Sequence, residues 1–484
     1  MQKQDNSIIL NKEDINNYGI IYTPNNLVNN ILDLIPNKYF KDPNLKWLDI
    51  GAGYGAFSIN LYNRLFNELT YILPNKETRK NHIIKNMLFM VEIYPKHIED
   101  LKKEFSNAAN IINKDFLTLN NTSNTRFDFI IGNPPYNING KLKTPTNTKL
   151  EKSDIGKQIY VDFIYKSFEL LKPNGFINII IPSLWLKPDK ANLYNFLTTK
   201  KIHKLVCLST TQTQKAFNYK AQTPTCYFLI ENNNNQKEIY DESHINIYDE
   251  LNNDFINYNL KHNFPIPING INIINKLLKY VDEVDSLKVY KSSTISKNSK
   301  IEDNYGENHQ YINVKTTVLS NNRPNLVINY SNIKQQFANE PKLILAHKMY
   351  GFPYYDISGM YGISSRDNYI ILEKDYNMRD LLIIQAFLST KTGIFLFSTT
   401  NYRMRYLERY AFEFIPNINK IPNFPDILNK SRISKDELIY DFFSFSQNER
   451  EKIEKYIKNL KKILKTNFKN IEIHNFDEHI IKNL

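Results

Sequence analysis

The residues best suited to chemistry lie in the run Asp128 to Tyr136 (DFIIGNPPY), an apolar strand that ends in Asn133-Pro134-Pro135-Tyr136. Consecutive prolines fix the backbone and remove two N–H donors. In that geometry the Asn133 side-chain oxygen and the Pro134 carbonyl can both accept hydrogen bonds from one planar NH2 group, while Tyr136 stacks on the ring that carries it. An exocyclic amine is a poor nucleophile because its lone pair is delocalised, and two acceptors favour the pyramidal nitrogen that attacks a methyl donor. The motif predicts activation of such an amine without a covalent intermediate.

A second motif, Asp49 to Gly55 (DIGAGYG), is rich in glycine and follows an apolar stretch. Glycine lets the backbone between a strand and a helix approach a ligand closely, so Gly51, Gly53 and Gly55 predict a nucleotide-like cofactor. A nicotinamide fingerprint reads GxGxxG, whereas here the third glycine comes one position early and the acidic Asp49 opens the loop. The pattern therefore differs from that of a dehydrogenase, and a purely structural turn is the alternative.

Two acidic residues further along the chain are suited to bind the ribose and the adenine ring of a nucleoside. Glu92 ends the predicted second strand, where a carboxylate can accept from the two hydroxyls of a ribose. It lies farther from the glycine loop than the roughly 20 residues usual in dinucleotide folds, and the extra segment Glu68 to Asn86 predicts a lengthened helix or an insertion. After the third strand, Asp115 offers an acceptor for an adenine amino group and Phe116 a ring that can stack on it.

These motifs lie at the ends of short apolar runs that alternate with amphipathic stretches between Leu45 and about Glu231. That alternation predicts an α/β unit with a largely parallel sheet. A helix predicted over Tyr160 to Leu171 is stopped by the Pro and Gly signal of Lys172 to Gly175. The predicted strands are Lys46 to Ile50, Met87 to Glu92, Asn110 to Ile112, Phe127 to Gly132, Phe176 to Pro182, His203 to Leu208 and Thr225 to Glu231.

In their order, the motifs resemble those of the N6-adenine-specific DNA methyltransferases of gamma-type motif order, the Eco57I-like and TaqI-like class. A run ahead of the glycine loop, Tyr18 to Pro24 (YGIIYTP), matches the Tyr-Thr-Pro core of a cofactor motif of that family, so the resemblance covers about residues 18 to 231. It implies a Rossmann-like class I methyltransferase fold with a seven-stranded, mostly parallel sheet. It also implies S-adenosyl-L-methionine as cofactor, double-stranded DNA as partner, and Tyr22, Thr23 and Pro24 at the methionine end of the cofactor.

The same resemblance implies how the target base is reached. Enzymes that modify a base cannot reach it inside a stacked duplex, so the target adenine is expected to swing out into the pocket. The family has a second aromatic wall just before the last strand, where this chain has Phe217-Asn218-Tyr219. We expect Phe217 to stack on the base, with Tyr219 as the substitute, and a core role for either ring is the alternative.

The polar run 232–237 (NNNNQK) and a change in composition predict two domains. We expect a catalytic domain over residues 1–240, a linker over 241–268, and a mixed α+β DNA target-recognition domain with carboxyl-terminal helices over 269–484. Ser446 and Glu449 form a predicted capping box for the last helix. Cations that alternate with aromatic residues suggest DNA contacts, because Lys and Arg neutralise phosphates and Arg reads guanine edges. The candidates are Lys348, Arg366, Arg403 and Arg405.

Composition supports a nucleic-acid partner without requiring one. The formal net charge is +12, which attracts polyanions, although an AT-rich genome that favours Lys codons would also produce it. The two cysteines, Cys207 and Cys226, have no spacing typical of a zinc site, so no metal is expected and a reducing compartment fits best. No secretory signal or apolar run long enough to span a bilayer is present, so we expect a cytoplasmic protein without a membrane partner.

Other functions remain open at this stage. The Asn-Pro-Pro-Tyr motif also serves enzymes that methylate a protein glutamine or an RNA base amine, although the roughly 215 residues after Gly270 favour a long nucleic-acid target. Enzymes that methylate cytosine N4 usually have Ser or Asp in place of Asn133, and an inactive DNA-binding subunit would show decayed motifs. About 17 residues precede Tyr18, so we expect no fused amino-terminal nuclease. A separate restriction endonuclease and the oligomeric state are not determined by the sequence.

Overall fold

The computed structural model describes residues 22–119, 126–137, 158–219, 221, 223–233, 244–250, 252–320, 323–347, 352–403, 406–428 and 430–464. The chain divides into two units. The first comprises Met1–Tyr248 with Asn257–Asn263, and the second comprises Asp249–Ile256 with Phe264–Leu484. Each unit is described separately below.

The first unit is built on one nine-stranded sheet in the order β3-β2-β1-β4-β5-β7-β6-β8-β9. Neighbouring strands from β3 to β5 pair in parallel, and β7 runs antiparallel between β5 and β6. The first seven strands confirm the predicted Rossmann-like methyltransferase fold. They are β1 (Trp47–Asp49), β2 (Leu88–Glu92), β3 (Asn110–Asn113), β4 (Phe127–Gly132), β5 (Leu171–Pro182), β6 (Lys201–Leu208) and β7 (Thr225–Glu231).

The last two strands, β8 (His244–Asp249) and β9 (Asp254–Asn259), lie in the segment 241–268 that the composition suggests as a linker. Their presence corrects that expectation. In β8 the burial alternates, with Ile245 and Ile247 buried, which is the period-two pattern of a strand that is covered on one face. β8 pairs in parallel with β6 and so extends the sheet beyond its seventh strand. The proposed roles of the two domains remain predictions.

Helices flank the strands of the first unit. The segment Glu68 to Asn86, expected as a lengthened helix or an insertion, forms a separate short helix followed by a turn of π-helix at Ile83–Met87. The predicted helix over Tyr160 to Leu171 is confirmed. The helices are α1 (Asn25–Leu32), α2 (Ala56–Glu68), α3 (Lys76–His82), α4 (Pro95–Phe105), α5 (Tyr160–Leu170), α6 (Leu193–Thr198) and α7 (Thr210–Ala216).

A stack of aromatic rings holds the central strands together. The Trp47 ring lies 4.0 Å from that of Phe129 and 5.4 Å from that of Phe40, and Phe129 stacks on Phe176 at 5.1 Å. Each such pair adds about 0.5–1.5 kcal/mol beyond the burial of its area. Trp47 and Phe129 pair across β1 and β4, so this part of the core fixes the two strands whose ends carry Asp49 and Asn133.

The second unit is a mixed α+β structure with two four-stranded sheets, ordered β10-β17-β14-β15 and β11-β13-β12-β16. Its strands are β10 (Tyr290–Lys291), β11 (Ile301–Glu302), β12 (Tyr311–Ser320), β13 (Arg323–Ser331), β14 (Lys342–Ala346), β15 (Tyr354–Asp356), β16 (Gly362–Ile363) and β17 (Asn368–Leu372). Its helices are α8 (Ile271–Val284), α9 (Met378–Leu388), α10 (Lys391–Leu396), α11 (Arg432–Phe442) and α12 (Gln447–Leu464).

The start of α12 confirms the predicted capping box. The Ser446 backbone N–H donates to the Glu449 carboxylate at 2.6 Å, and the Glu449 N–H donates to the Ser446 hydroxyl at 3.4 Å. Ile453, Ile457 and Leu460 are buried at helical spacing. The helix therefore packs on the core of its unit, as its periodicity predicts.

Within the described ranges, no single helix combines the length and apolar character needed to cross a bilayer, while one bent pair, Met378–Leu388 with Lys391–Thr400, meets both criteria together. The described residues also hold no group of three or more His, Cys, Asp or Glu side chains placed to bind a metal ion.

Candidate active site

The candidate site lies at the carboxyl edge of the first unit's sheet, where β1 pairs with β2 on one side and with β4 on the other. The chain passes from β1 to β2 and later returns to β4 on the opposite flank, so this is the point at which the strand order reverses. Ligands of open α/β sheets bind in the crevice at such a point. Asp49, Glu92 and Asn133 follow or end these three strands, and the fold thus brings together residues from three separate motifs.

The glycine loop leaves room for a ligand beside its backbone. A Cβ atom built on Gly51 or Gly53 would meet no atom within 4 Å, and Gly53 adopts a φ of +54° that favours glycine. Gly55, with a φ of +88°, differs because its added Cβ would lie 3.0 Å from Leu101 and 3.3 Å from Ile59. Gly51 and Gly53 therefore leave open space beside the loop, whereas Gly55 allows the helices α2 and α4 to pack closely.

Backbone N–H groups hold the Glu92 carboxylate in place. Its Oε2 accepts from Gly53 N at 2.7 Å, and its Oε1 accepts from Ile93 N at 3.0 Å and Tyr94 N at 2.8 Å. Burial opposes ionisation, but the neighbouring His97 and these backbone donors lower the pKa of Glu92 below its ordinary value. An ionised carboxylate with acceptor capacity left on Oε2 fits a ribose hydroxyl.

Asp49 is a buried carboxyl group with one oxygen still available. Its Oδ2 accepts from the Ser58 hydroxyl at 2.7 Å, while its buried Oδ1 has no hydrogen-bond partner in the described part of the chain. Burial, together with the negative charge of Glu92, raises the pKa of Asp49 to about 7 against the opposing effect of the Ser58 hydrogen bond. A carboxyl in this state favours a cationic ligand, because a nearby positive charge stabilises its ionised form.

Asn133 is oriented by a residue 110 positions earlier in the chain. Its Nδ2 donates to the Thr23 hydroxyl at 3.0 Å, and its buried Oδ1 finds no partner among the described residues. Buried acceptors are nearly always satisfied in native proteins, so an unpartnered amide oxygen at a sheet edge points to a ligand donor. Thr23, which the resemblance predicts at the methionine end of the cofactor, positions the Asn133 amide in the structure, and its contact with the cofactor stays a prediction.

Gly132 is a residue of the site that sequence reasoning did not single out. Its φ is +140°, and an added Cβ would lie 3.1 Å from Asp49 Oδ1 and 3.2 Å from Ile50 Cγ1. The close approach of β4 to the end of β1 therefore needs glycine just before the Asn-Pro-Pro-Tyr run. The signal was present in the sequence, since a glycine at the end of an apolar strand often marks close backbone contact.

The ring of Tyr136 is half-buried and meets the Tyr160 ring edge-on at 6.4 Å. Its hydroxyl is buried without a hydrogen-bond partner in the described ranges. Burial, with Cys226 and Tyr160 nearby, raises the pKa of Tyr136 well above its ordinary value, so the phenol stays neutral. Pro134 is buried and Pro135 is half-buried beside it. A neutral, partly accessible ring next to Asn133 is the arrangement that stacking on a base requires.

The remaining predicted cofactor residues differ in exposure. The Asp115 carboxylate accepts from Leu117 N at 2.9 Å and caps a short 3-10 turn, and its side chain is exposed. The Phe116 ring is buried and stacks on Phe163 at 5.0 Å. Tyr22 is half-buried, and Pro24 immediately precedes α1. Their contacts with a cofactor stay predictions.

The two candidate rings for the second aromatic wall differ sharply in exposure. Phe217 is 1% exposed, whereas Tyr219 is 71% exposed and adopts a φ of +62°, which is uncommon outside glycine. In this conformation Phe217 belongs to the core of the first unit and Tyr219 faces solvent.

The residues predicted to contact DNA belong to the second unit. Arg366 and Arg403 are exposed there, and Lys348 and Arg405 lie outside the described residues. The roles of these residues remain predictions.

The strand order, the glycine loop and the Asn-Pro-Pro-Tyr edge define the first unit as a class I methyltransferase domain. Residues 47–217 match the family model described as "Eco57I restriction-modification methylase".

Two curated relatives and one solved structure illustrate the similarity. The chain is 29% identical over 217 residues to Type II methyltransferase M.BstVI of Geobacillus stearothermophilus, with 39% of this chain and 36% of that protein aligned. It is 23% identical over 292 residues to an uncharacterized adenine-specific methylase of Mycoplasma pneumoniae, with 44% of this chain and 67% of that protein aligned. The Type IIL restriction-modification enzyme MmeI in complex with DNA aligns at 13% identity with a TM-score of 0.47, over 95% of this chain and 81% of that one.

Proposed function

We propose that this protein is a site-specific DNA methyltransferase that transfers the methyl group of S-adenosyl-L-methionine to N6 of an adenine swung out of double-stranded DNA. We further propose that it acts in the cytoplasm as part of, or derived from, a restriction-modification system. The observation that carries the proposal is the Asn133 amide, held by Thr23 with its oxygen unpartnered at the edge that Asp49 and Glu92 share. The match of residues 47–217 to a methylase family model supports it.

The residues of the first unit fit the proposed cofactor. Glu92 would accept a ribose hydroxyl on Oε2, the open sides of Gly51 and Gly53 would face its nucleoside, and Asp49 would favour its positive charge. Asp115 and Phe116 would border the adenine ring, and Tyr22, Thr23 and Pro24 its methionine end. When bound, the cofactor supplies a methyl group on a positively charged sulfur. Together these groups fit a nucleoside that carries a positive charge.

The Asn-Pro-Pro-Tyr segment would bind and activate the target amine. Asn133 Oδ1 and the Pro134 carbonyl would each accept one N–H of the target amine, which localises the nitrogen lone pair for attack. Pro135 keeps that backbone rigid, and the Tyr136 ring would stack on the adenine, with Phe217 or Tyr219 on the other side. Held in this way, the amine nitrogen would take up the methyl group that the cofactor supplies and would release one proton to solvent. Acceptors that are already in position need no reorganisation during the reaction.

Single-molecule sequencing of DNA from cells that express the wild type or Asn133→Ala tests the proposal. We expect modified adenine in a fixed sequence context only with the wild type. An absence of modified adenine with both proteins, when both fold and bind the cofactor, would instead favour an RNA base amine or a protein glutamine as the substrate. Modified cytosine in place of adenine would assign the amine to N4 of that base.

The proposed role of Asp49 predicts how cofactor binding depends on pH. The carboxyl is protonated below its pKa of about 7 and ionised above it, and only the ionised form favours a cation. S-adenosyl-L-methionine affinity should therefore rise with pH up to about 7 and then level off, by at most about tenfold per pH unit. Titration calorimetry between pH 5.5 and 8.5 measures this dependence.

Calorimetry in two buffers of different ionisation enthalpy should also show proton release on binding below pH 7. The matched control is Asp49→Asn, which keeps the size of the side chain and removes its titration. The variant should bind more weakly, with an affinity that changes little over the same range. A pH dependence identical to that of the wild type would remove Asp49 from this role.

A further inference from the structure

His97 lies in the first turn of α4 and is 1% exposed, directly behind Glu92. Its Nδ1 is 3.7 Å from Glu92 Oε1, and its buried Nε2 has no hydrogen-bond partner within the described ranges. α4 begins at Pro95, immediately after the residues whose N–H groups bind Glu92. The His97 imidazole therefore follows directly after the segment whose backbone N–H groups bind the Glu92 carboxylate.

The same imidazole contacts the glycine loop. Its ring centroid is 4.1 Å from that of Tyr54, which lies between Gly53 and Gly55, and 4.8 Å from that of Tyr94, which it meets edge-on. Glu92 Oε2 is itself bound to the loop through Gly53 N at 2.7 Å. His97 therefore joins, through one side chain, the carboxylate and the loop that would both surround a ribose.

We propose that His97 is a positioning residue for the cofactor ribose, acting through Glu92 and Tyr54 without touching the ligand. This inference rests on the proposed function, since it takes a nucleoside cofactor to bind at Glu92. Oε1 already accepts two backbone N–H groups and faces His97, whereas Oε2 accepts only one. The arrangement directs the remaining acceptor capacity of Glu92 to Oε2, on the side of the glycine loop.

Two substitutions separate the polar contact from the ring contact. His97→Phe keeps a ring against Tyr54 and loses the ring nitrogens, whereas His97→Asn keeps a polar group near the position of Nδ1 and loses the ring. We expect His97→Phe to weaken S-adenosyl-L-methionine binding about tenfold, a normal coupling for residues in contact. The KM for the cofactor should rise in parallel, while kcat at saturating cofactor stays within about twofold, because His97 touches neither the amine nor the methyl group.

A double-mutant cycle with Glu92→Gln measures the coupling between His97 and Glu92 in cofactor binding. A purely structural role of His97 would give no such coupling. In the Glu92→Gln background, His97→Phe should change the cofactor Kd by less than about twofold, because the group it acts through is gone. His97→Asn should recover part of the coupling in the presence of Glu92. Circular dichroism and thermal unfolding of each full-length variant establish that the fold is kept.

Equal losses from His97→Phe in both backgrounds, or no loss in either, would overturn the inference. Failure of the proposed cofactor looks different, because the wild type itself would then bind no S-adenosyl-L-methionine. Failure of DNA as the substrate would leave wild-type cofactor binding, and the test of His97, unchanged. A fall in kcat without a change in cofactor KM would place His97 with the amine chemistry and would also overturn the positioning role.

Discussion

Replacing Asn133 by alanine should lower kcat for DNA methylation by about 10²–10³-fold, the usual effect of removing one preorganised hydrogen-bonding group from a reacting centre. The amide oxygen is a buried acceptor without a hydrogen-bond partner among the described residues, and the Thr23 hydroxyl, 3.0 Å from Asn133 Nδ2, fixes the direction of the amide. Without it, one amine proton has no acceptor and the nitrogen keeps its delocalised lone pair. The cofactor Kd should change less than about threefold, because Glu92 and the glycine loop remain intact.

Single-turnover transfer of a labelled methyl group to DNA, with cofactor binding measured separately, checks this result. Thr23→Val removes the hydroxyl that orients the amide and should give a smaller loss of about tenfold, the value of one ordinary hydrogen bond. Asn81→Ala in α3 is the matched control, since its amide donates to Glu77 at 3.1 Å and neither residue belongs to the candidate site. Wild-type turnover by Asn133→Ala would contradict the assigned chemistry.

Replacing Lys342 by methionine should lower the free energy of unfolding of the second unit by about 3–5 kcal/mol. The Lys342 ammonium lies 2.6 Å from Asp356 Oδ2, and both side chains are almost completely buried. It also donates to the Glu340 carbonyl at 2.9 Å. Methionine keeps the volume but leaves the Asp356 carboxylate buried without its cation, which is the main source of the loss.

Urea denaturation at pH 7 followed by circular dichroism measures this loss. Trp47 and Trp185 both lie in the first unit, so tryptophan fluorescence serves as an internal reference that should shift less. Adding Asp356→Asn to the variant should restore part of the stability. Lys288→Met is the control, because Lys288 pairs with Asp375 at the same 2.6 Å but is 59% exposed, and its midpoint should hardly change. Equal shifts for Lys288 and Lys342 would contradict the role of burial.

Local sequence patterns were sufficient for much of the first unit. Each of the seven predicted strands overlaps an observed strand, because an apolar run bounded by Gly or Pro needs only its own residues to be recognised. The capping box at Ser446 and the glycine loop at Asp49 were readable for the same reason, since their interactions span few residues. The acceptors of the Asn-Pro-Pro-Tyr run could be predicted from four residues alone, because the two prolines fix the backbone that presents them.

Other features depended on partners that are distant in sequence. Strand β8 has a readable alternation at Ile245 and Ile247, but its polar surroundings suggested a linker, and its place between β6 and β9 in the sheet stabilises it as a strand. The intrinsic strand propensity of a segment does not include the energy that it gains by pairing with a distant strand. The opposite exposures of Phe217 and Tyr219, only two residues apart, likewise follow from packing around α7.

The sequence by itself determined which residues carry the proposed chemistry and which strands present them. Tertiary structure decided how they act: Thr23 meets Asn133 across 110 residues, His97 lies behind Glu92, and burial raises the pKa of Asp49 to about 7. Residue type and spacing act over a few positions of the chain. Desolvation and side-chain contact depend on every element that surrounds a group, and these arise only when β1, β2 and β4 are brought side by side in the folded sheet.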